Sequence, residues 1–182
     1  MKSCRAALII GVVFGLVLPL LTAGGGTLPL RGEAKFEARA ALEAKLLQLE
    51  GTAAPENDLA LLHQVYAVVP ALLAQLPERD HAWAPETLGL SRWSQPEPGD
   101  LLIFQSRPDS PRVGLFLAAE SDRWIFLARS RGQIRRLYLS RIEPSRRRIG
   151  ARIVNSWLRA YSDEGPAGFY AGELFTLVRA FL

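Results

Sequence analysis

The order of apolar patterns along the chain predicts an α+β fold. Helical periodicity comes first, strand-length apolar runs separated by turn residues follow, and one more helical pattern closes the chain. The length of 182 residues leaves room for a single domain behind an apolar N-terminal segment. A hydrophobic content of 49%, with four Trp and eight Phe, supplies enough bulk for a core and excludes disorder for most of the chain.

The N-terminal segment, residues 1–25, has the layout of an export signal. Lys2 and Arg5 form a positive flank, residues 6–23 are uncharged and apolar, and Thr22-Ala23-Gly24-Gly25-Gly26 supplies small residues for cleavage after Gly24 or Gly25. The same segment read as an uncleaved membrane anchor sits at the short end of what spans a bilayer. Either way the domain is expected outside the cytoplasm, in the periplasm or cell envelope. Cys4 is the only cysteine and precedes the apolar run, whereas a lipoprotein cysteine would follow it. The mature part therefore has no thiol nucleophile and no disulfide framework.

Residues 26–33 form a linker, and 34–182 the domain. A helix is predicted over residues 33–50, with Phe36, Ala40 and Leu47 near one face, Leu42, Leu46 and Leu49 beside it, and Gly51 as its stop. Asn57 or Asp58 is placed to cap the next helix, which runs from Leu59 through Leu62, Val65 and Val69. Pro70 kinks that helix or begins a new one, and Pro77 ends the pattern. Residues 79–99 read as a long loop with little regular structure. Strands are predicted over 101–105, 112–119, 123–131 and 133–139, the last three as an antiparallel meander. Residues 153–161 fit a short helix or an extended piece, 163–168 a turn, and 171–181 a closing helix.

The net charge of +4 is unevenly spread. Acids outnumber bases between Gly26 and Asp100, whereas Arg123 to Arg159 holds many arginines and one acid, Glu143. Solvated strand and loop faces account for most of these arginines, and attraction to anionic envelope polymers or lipid headgroups is the functional alternative. Export argues against nucleic acid as a partner.

The stretch Pro98-Gly99-Asp100-Leu101-Leu102-Ile103-Phe104, then Arg112-Val113-Gly114-Leu115-Phe116-Leu117, then Arg123-Trp124-Ile125-Phe126-Leu127-Ala128 resembles the papain-like cell-wall hydrolases of the NlpC and CHAP type. Arg131-Gly132 before the next strand fits, as does the tail Val154-Asn155-Ser156-Trp157-Leu158-Arg159 with Ala171-Gly172-Glu173-Leu174-Phe175. The resemblance spans residues 34–182 and implies a papain-like domain, N-terminal helices on an antiparallel sheet with a C-terminal helix. It also implies a catalytic triad, and here the chain departs. The nucleophile position at the start of a helix falls on Leu59, the base on Arg112 and the orienting residue on Leu127. Leucine cannot attack a carbonyl, and arginine stays protonated.

Other chemistry has weaker signals. His63 and His81 are the only histidines, and no Gly-x-Ser-x-Gly elbow, His-Glu-x-x-His or Cys/His cluster accompanies them. No cofactor or metal is expected. Carboxylate pairs such as Glu120 with Asp122 fall in turns, and Asp100 reads as part of the turn that opens a strand. Trp83, Trp93, Trp124 and Trp157 could line a groove for sugar or peptide, as well as pack a core. Any surviving cleft would hold Arg112 with Leu59 and Leu127 nearby, and Arg112, Trp93 and Trp124 are the candidate ligand contacts. The apolar bulk of Leu59, Leu61 and Leu127 favours a filled cleft.

The sequence thus points to an exported, non-catalytic module of the bacterial envelope that binds peptidoglycan or an envelope protein, touching the membrane if its leader is retained. The alternative is a cell-wall peptidase or amidase with a rearranged site around His63 or His81.

Overall fold

The computed structural model describes residues 31–78, 89–92, 95–105, 111–162 and 165–180. The N-terminal segment read as an export signal or anchor, His81, Trp83 and Trp93 lie outside them. Helix α1 (Glu33–Leu49) forms as the periodicity predicts, with a different face inward. Ala38, Leu42, Leu46 and Leu49 are buried, whereas Phe36 is 76% exposed and Ala40 and Leu47 also face solvent. Both rows have helical spacing, and only the i, i+4 row of Ala38, Leu42 and Leu46 meets the sheet.

Helix α2 (Asp58–Tyr66) is capped by Asn57, whose side chain accepts the Ala60 N–H at 2.7 Å. Its apolar face, Leu59, Leu62, Val65 and Tyr66, is fully inside. Pro70 begins a new helix, α3 (Pro70–Leu73), where its missing N–H costs nothing.

The sheet has six antiparallel strands in the order β1-β10-β2-β3-β4-β5. These are β1 (Leu90–Arg92), β2 (Leu101–Phe104), β3 (Arg112–Ala119), β4 (Trp124–Ser130), β5 (Gln133–Leu139) and β10 (Phe175–Ala180). Strands β2 to β5 form a meander, and the α+β class holds. Strand β1, three residues long, falls within the 79–99 segment read as a long loop with little regular structure, most of which lies outside the described residues.

The turn into β2 is fixed by chemistry legible in Pro98-Gly99-Asp100. Pro98 and Gly99 (φ 89°) take the central positions of a type II turn that the Asp100 N–H closes on the Glu97 carbonyl at 2.9 Å. Asp100 is buried. Its Oδ2 accepts the Glu97 N–H at 2.9 Å, and Arg39 of α1 approaches its Oδ1 at 2.7 Å. The Tyr66 hydroxyl donates to the Gly99 carbonyl at 2.7 Å, so both long helices are tied to one turn.

Beyond β5 come two hairpins, β6 (Arg148–Ile149) with β7 (Arg152–Ile153) and β8 (Trp157–Ser162) with β9 (Gly165–Tyr170). The 153–161 segment is therefore extended, and β9 stands where 163–168 predicts a turn. The closing helix expected over 171–181 is corrected as well: one turn, α4 (Ala171–Leu174), leads into β10, which inserts between β1 and β2. The run Phe-Thr-Leu-Val is rich in residues that suit a pleated sheet, and a short apolar run carries no periodicity to separate strand from helix. Asn155 holds this tail in place. Fully buried, it accepts from the Ser140 and Gly172 N–H groups at 2.8 and 3.0 Å and donates to the Glu143 and Arg146 carbonyls, both at 2.7 Å.

Two cores result. Leu101, Ile103, Val113, Leu115, Leu127 and Ile134 meet the helices on one face of the sheet. Leu102, Phe104, Phe116, Phe126 and Leu137 meet Leu158 and Ala171 on the other. Among the described residues, no helix is long and apolar enough to cross a membrane.

Candidate ligand-binding site

Strand register decides where the three family positions go. Leu127 pairs with Leu115, and both point to the helix face, where Leu59 is 3% exposed and Leu127 fully buried. Arg112 pairs with Phe104, whose ring lies in the other core, so Arg112 points to the opposite face. Leu59 and Leu127 meet within one packed cluster. Arg112 is on the other face, so the three do not converge; the space beside Leu59 and Leu127 is filled by packing, as their apolar bulk favours.

The residue before Leu59 has a structural role. Asp58 opens α2, where a carboxylate complements the positive end of the helix. Its Oδ2 accepts the Val113 N–H at 3.1 Å, and its Oδ1 accepts from Arg129 Nη1 at 3.3 Å. The helix N-terminus is thereby clamped to β3 and β4. Arg129 also donates to the Glu56 carbonyl, so its charge is largely engaged.

Arg112 instead opens onto a cavity of about 700 Å³ at the end of the sheet. Ala54 and Pro55 close it on the helix side, and Trp157 and Gly168 of the β8–β9 hairpin on the other. The tight turn between β4 and β5, Ser130 to Gly132, forms a further wall. Three guanidinium-bearing residues, Arg112, Arg129 and Arg131, line it, and no acidic residue is among the described lining residues. Arg112 Nη2 donates to the Arg129 carbonyl at 2.6 Å, which fixes the side chain while leaving further N–H donors. No described carboxylate pairs with Arg112 or Arg131.

Arg131 carries a backbone signature. It and Gly132 form a two-residue hairpin loop with φ of 52° and 76°, the pattern of a type I′ turn. Glycine suits such a conformation; arginine adopts it at a cost of about 1–3 kcal/mol.

Trp157 is the aromatic wall. It is 51% exposed, and its ring packs close to Gly168, where an added Cβ would come within 2.8 Å of the ring. Tyr170 supports the ring, with centroids 4.5 Å apart. The sequence names Trp157 among four tryptophans and in the tail of the resemblance, and Arg131 as part of a strand-opening pair. Each lies in a local hairpin, and only the packing of the separate β8–β9 hairpin beside the β4–β5 turn brings them to one cavity, which no local pattern encodes.

The other candidates fall elsewhere. Trp124 lies at the far end of β4 from the cavity, edge-on to Phe116 at 5.9 Å and Phe175 at 5.7 Å, with the Arg141 guanidinium over it at 5.1 Å. It packs the second core and does not join Arg112. His63 is half-buried, and its Nε2 donates to the Pro77 carbonyl at 3.0 Å, which ties α2 to the chain after α3. That bond occupies one of its two ring nitrogens. Among the described residues no group of His, Cys, Asp and Glu is placed to hold a metal ion.

No family model matches the chain, and no curated protein matches it.

Proposed function

We propose that this chain is an exported, non-catalytic binding module of the bacterial envelope, a degenerate relative of the papain-like cell-wall hydrolases, with its ligand site at the arginine-walled cavity. The helix-then-meander order supports the lineage, together with the α2 N-terminus clamped to β3 and β4 through Asp58. The single observation that carries a binding role is the concave site lined by Arg112, Arg129 and Arg131 with no acidic residue among its described lining residues, Arg129 being paired with Asp58 behind it. Such a site attracts anions, and a guanidinium fork fits carboxylate or phosphate oxygens in pairs. The absence of catalysis rests on residue chemistry: Leu59 is apolar and buried, and Arg112 stands on the other side of the sheet.

The test is co-sedimentation of the full chain, purified in detergent, with isolated peptidoglycan sacculi at low salt. The chain is expected in the pellet, and 0.5 M salt is expected to release it because screening shortens to a few ångströms. Replacing Arg112 and Arg131 together with alanine should shift most of it to the supernatant. A chain that stays in the supernatant at low salt overturns the proposal.

A further inference from the structure

Three features stand apart from the role already assigned: the Trp157 platform, the strained Arg131, and a basic loop with exposed Ile142 and Ile149. The first two belong to one cavity and can be argued together.

An anion site needs only cations. This cavity also holds a large aromatic ring that is half exposed and yet fixed. The missing side chain of Gly168 lets the ring pack close, and Tyr170 braces it at 4.5 Å, so its orientation is set before any ligand arrives. A side chain pre-ordered in this way loses little entropy on binding. A planar indole receives ligands that present a flat apolar face, and the C–H face of a pyranose ring is one of them. Arg112 and Arg131, free of described carboxylates, offer forks for an acid carried on that ring. Arg131 is held there despite a left-handed backbone that glycine or asparagine would fill more easily. The cavity volume of about 700 Å³ accommodates a short oligosaccharide.

We infer that the cavity binds an acidic glycan, with a sugar ring stacked on Trp157 and its carboxylate held by Arg112 and Arg131. The inference rests on the binding role proposed above and names its ligand class. Free anions lack the ring and neutral sugars lack the charge, so each should bind more weakly than the combination.

The experiment uses the full chain in detergent and follows binding by isothermal titration calorimetry with four probes: trigalacturonate, its methyl ester, triglutamate and inorganic triphosphate. Trigalacturonate is expected to bind at least about tenfold tighter than the other three, the scale of one charge-assisted contact or one stacked ring. Trp157→Ala should cost about tenfold for trigalacturonate and leave triglutamate unchanged, whereas Arg131→Ala should weaken both. Trp157→Tyr should restore most of the sugar affinity, and an unchanged melting temperature in all three variants shows that the fold is intact.

Equal binding of all the acids, indifferent to Trp157, overturns the glycan inference and leaves the broader anion-binding role standing. No binding of any probe also overturns it, and sedimentation with sacculi then judges that role separately.

Discussion

The two faces of the six-stranded sheet differ in what they are made of and in how completely they are closed. On the helix face Leu115, Leu127 and Ile134 meet Leu42, Leu62 and Val65, all aliphatic and all without measurable exposure. On the opposite face Phe104 stacks on Phe126 at 5.0 Å and meets Phe175 edge-on at 6.1 Å, covered by a hairpin and one helical turn. Three helices cover the first face along its length. The thinner cover on the second leaves the cavity at the Arg112 end. The resemblance to papain-like enzymes directs attention to the helix face, yet that face is solid, and the charged, concave surface lies at the sheet end. Leucine packing fills the helix face, and the arginine-lined concavity lies where packing is incomplete.

This contrast makes a first prediction. Leu127→Ala should cost about 2–5 kcal/mol, because the surrounding aliphatic cluster cannot collapse fully into the space left. Trp157→Ala, at the exposed rim, should change stability by less than about 0.5 kcal/mol. Urea denaturation of both variants measures the difference. Equal losses would erase the distinction between a sealed face and an open end.

The second prediction probes the aromatic face from within. Gly114 sits beneath the two stacked phenylalanines, and an added Cβ would lie 2.3 Å from Phe126 Cδ2 and 3.2 Å from Phe104 Cε2. Gly114→Ala should therefore cost about 1–3 kcal/mol through overpacking. Trimming the ring in a Gly114→Ala/Phe126→Leu double variant should recover part of that loss. If Gly114→Ala is neutral, the aromatic face is looser than its geometry describes.

Local chemistry made parts of both faces readable in sequence. Asn57 capping α2, Pro70 opening α3, the Pro98-Gly99 turn and the three-strand meander each depend on residues within a few positions of one another. The inward face of α1 was ambiguous because Phe36 and Leu42 lie on neighbouring rows with the same period, and only the position of the sheet chooses between them. Strand β10 was read as helix for a related reason: its fate depends on an open edge of β2, some seventy residues earlier in the chain. The cavity was the least legible. Arg112 stands out only through the resemblance; Arg131 comes beside it along the β3–β5 meander, and Trp157 reaches the same cavity by packing of a separate hairpin rather than by strand pairing.

A third prediction concerns Tyr66, whose hydroxyl is buried on the helix face. Burial, and then the nearby Asp100 carboxylate, push the Tyr66 pKa well above the usual tyrosine value, with Arg39 pulling the other way. The folded state thus holds this proton where the unfolded chain releases it near pH 10, so stability should fall as pH rises from about 10. Tyr66→Phe should cost about 1 kcal/mol at neutral pH through the lost bond to Gly99 and should lack this component of the alkaline loss. Denaturation of both proteins at pH 8 and pH 11 separates the two. A parallel decline would assign the alkaline loss to other groups.

The smallest expected effect is also the one that best separates folding from binding. Arg131 occupies the first central position of a type I′ turn, where Asn followed by Gly is strongly preferred. Arg131→Asn leaves Gly132 in place and relieves an arginine held at φ 52°, so it should raise stability by about 0.5–1 kcal/mol. The same change removes a cation from the cavity rim and should weaken anion binding about tenfold, the scale of one charged hydrogen bond. A melting curve and a titration with trigalacturonate read the two quantities on one sample. Movement in opposite directions would mean that the turn keeps its arginine for the ligand at the expense of the fold. Loss of stability together with binding would make Arg131 a structural residue of the hairpin, and the open end of the sheet would then differ from the sealed face in packing alone.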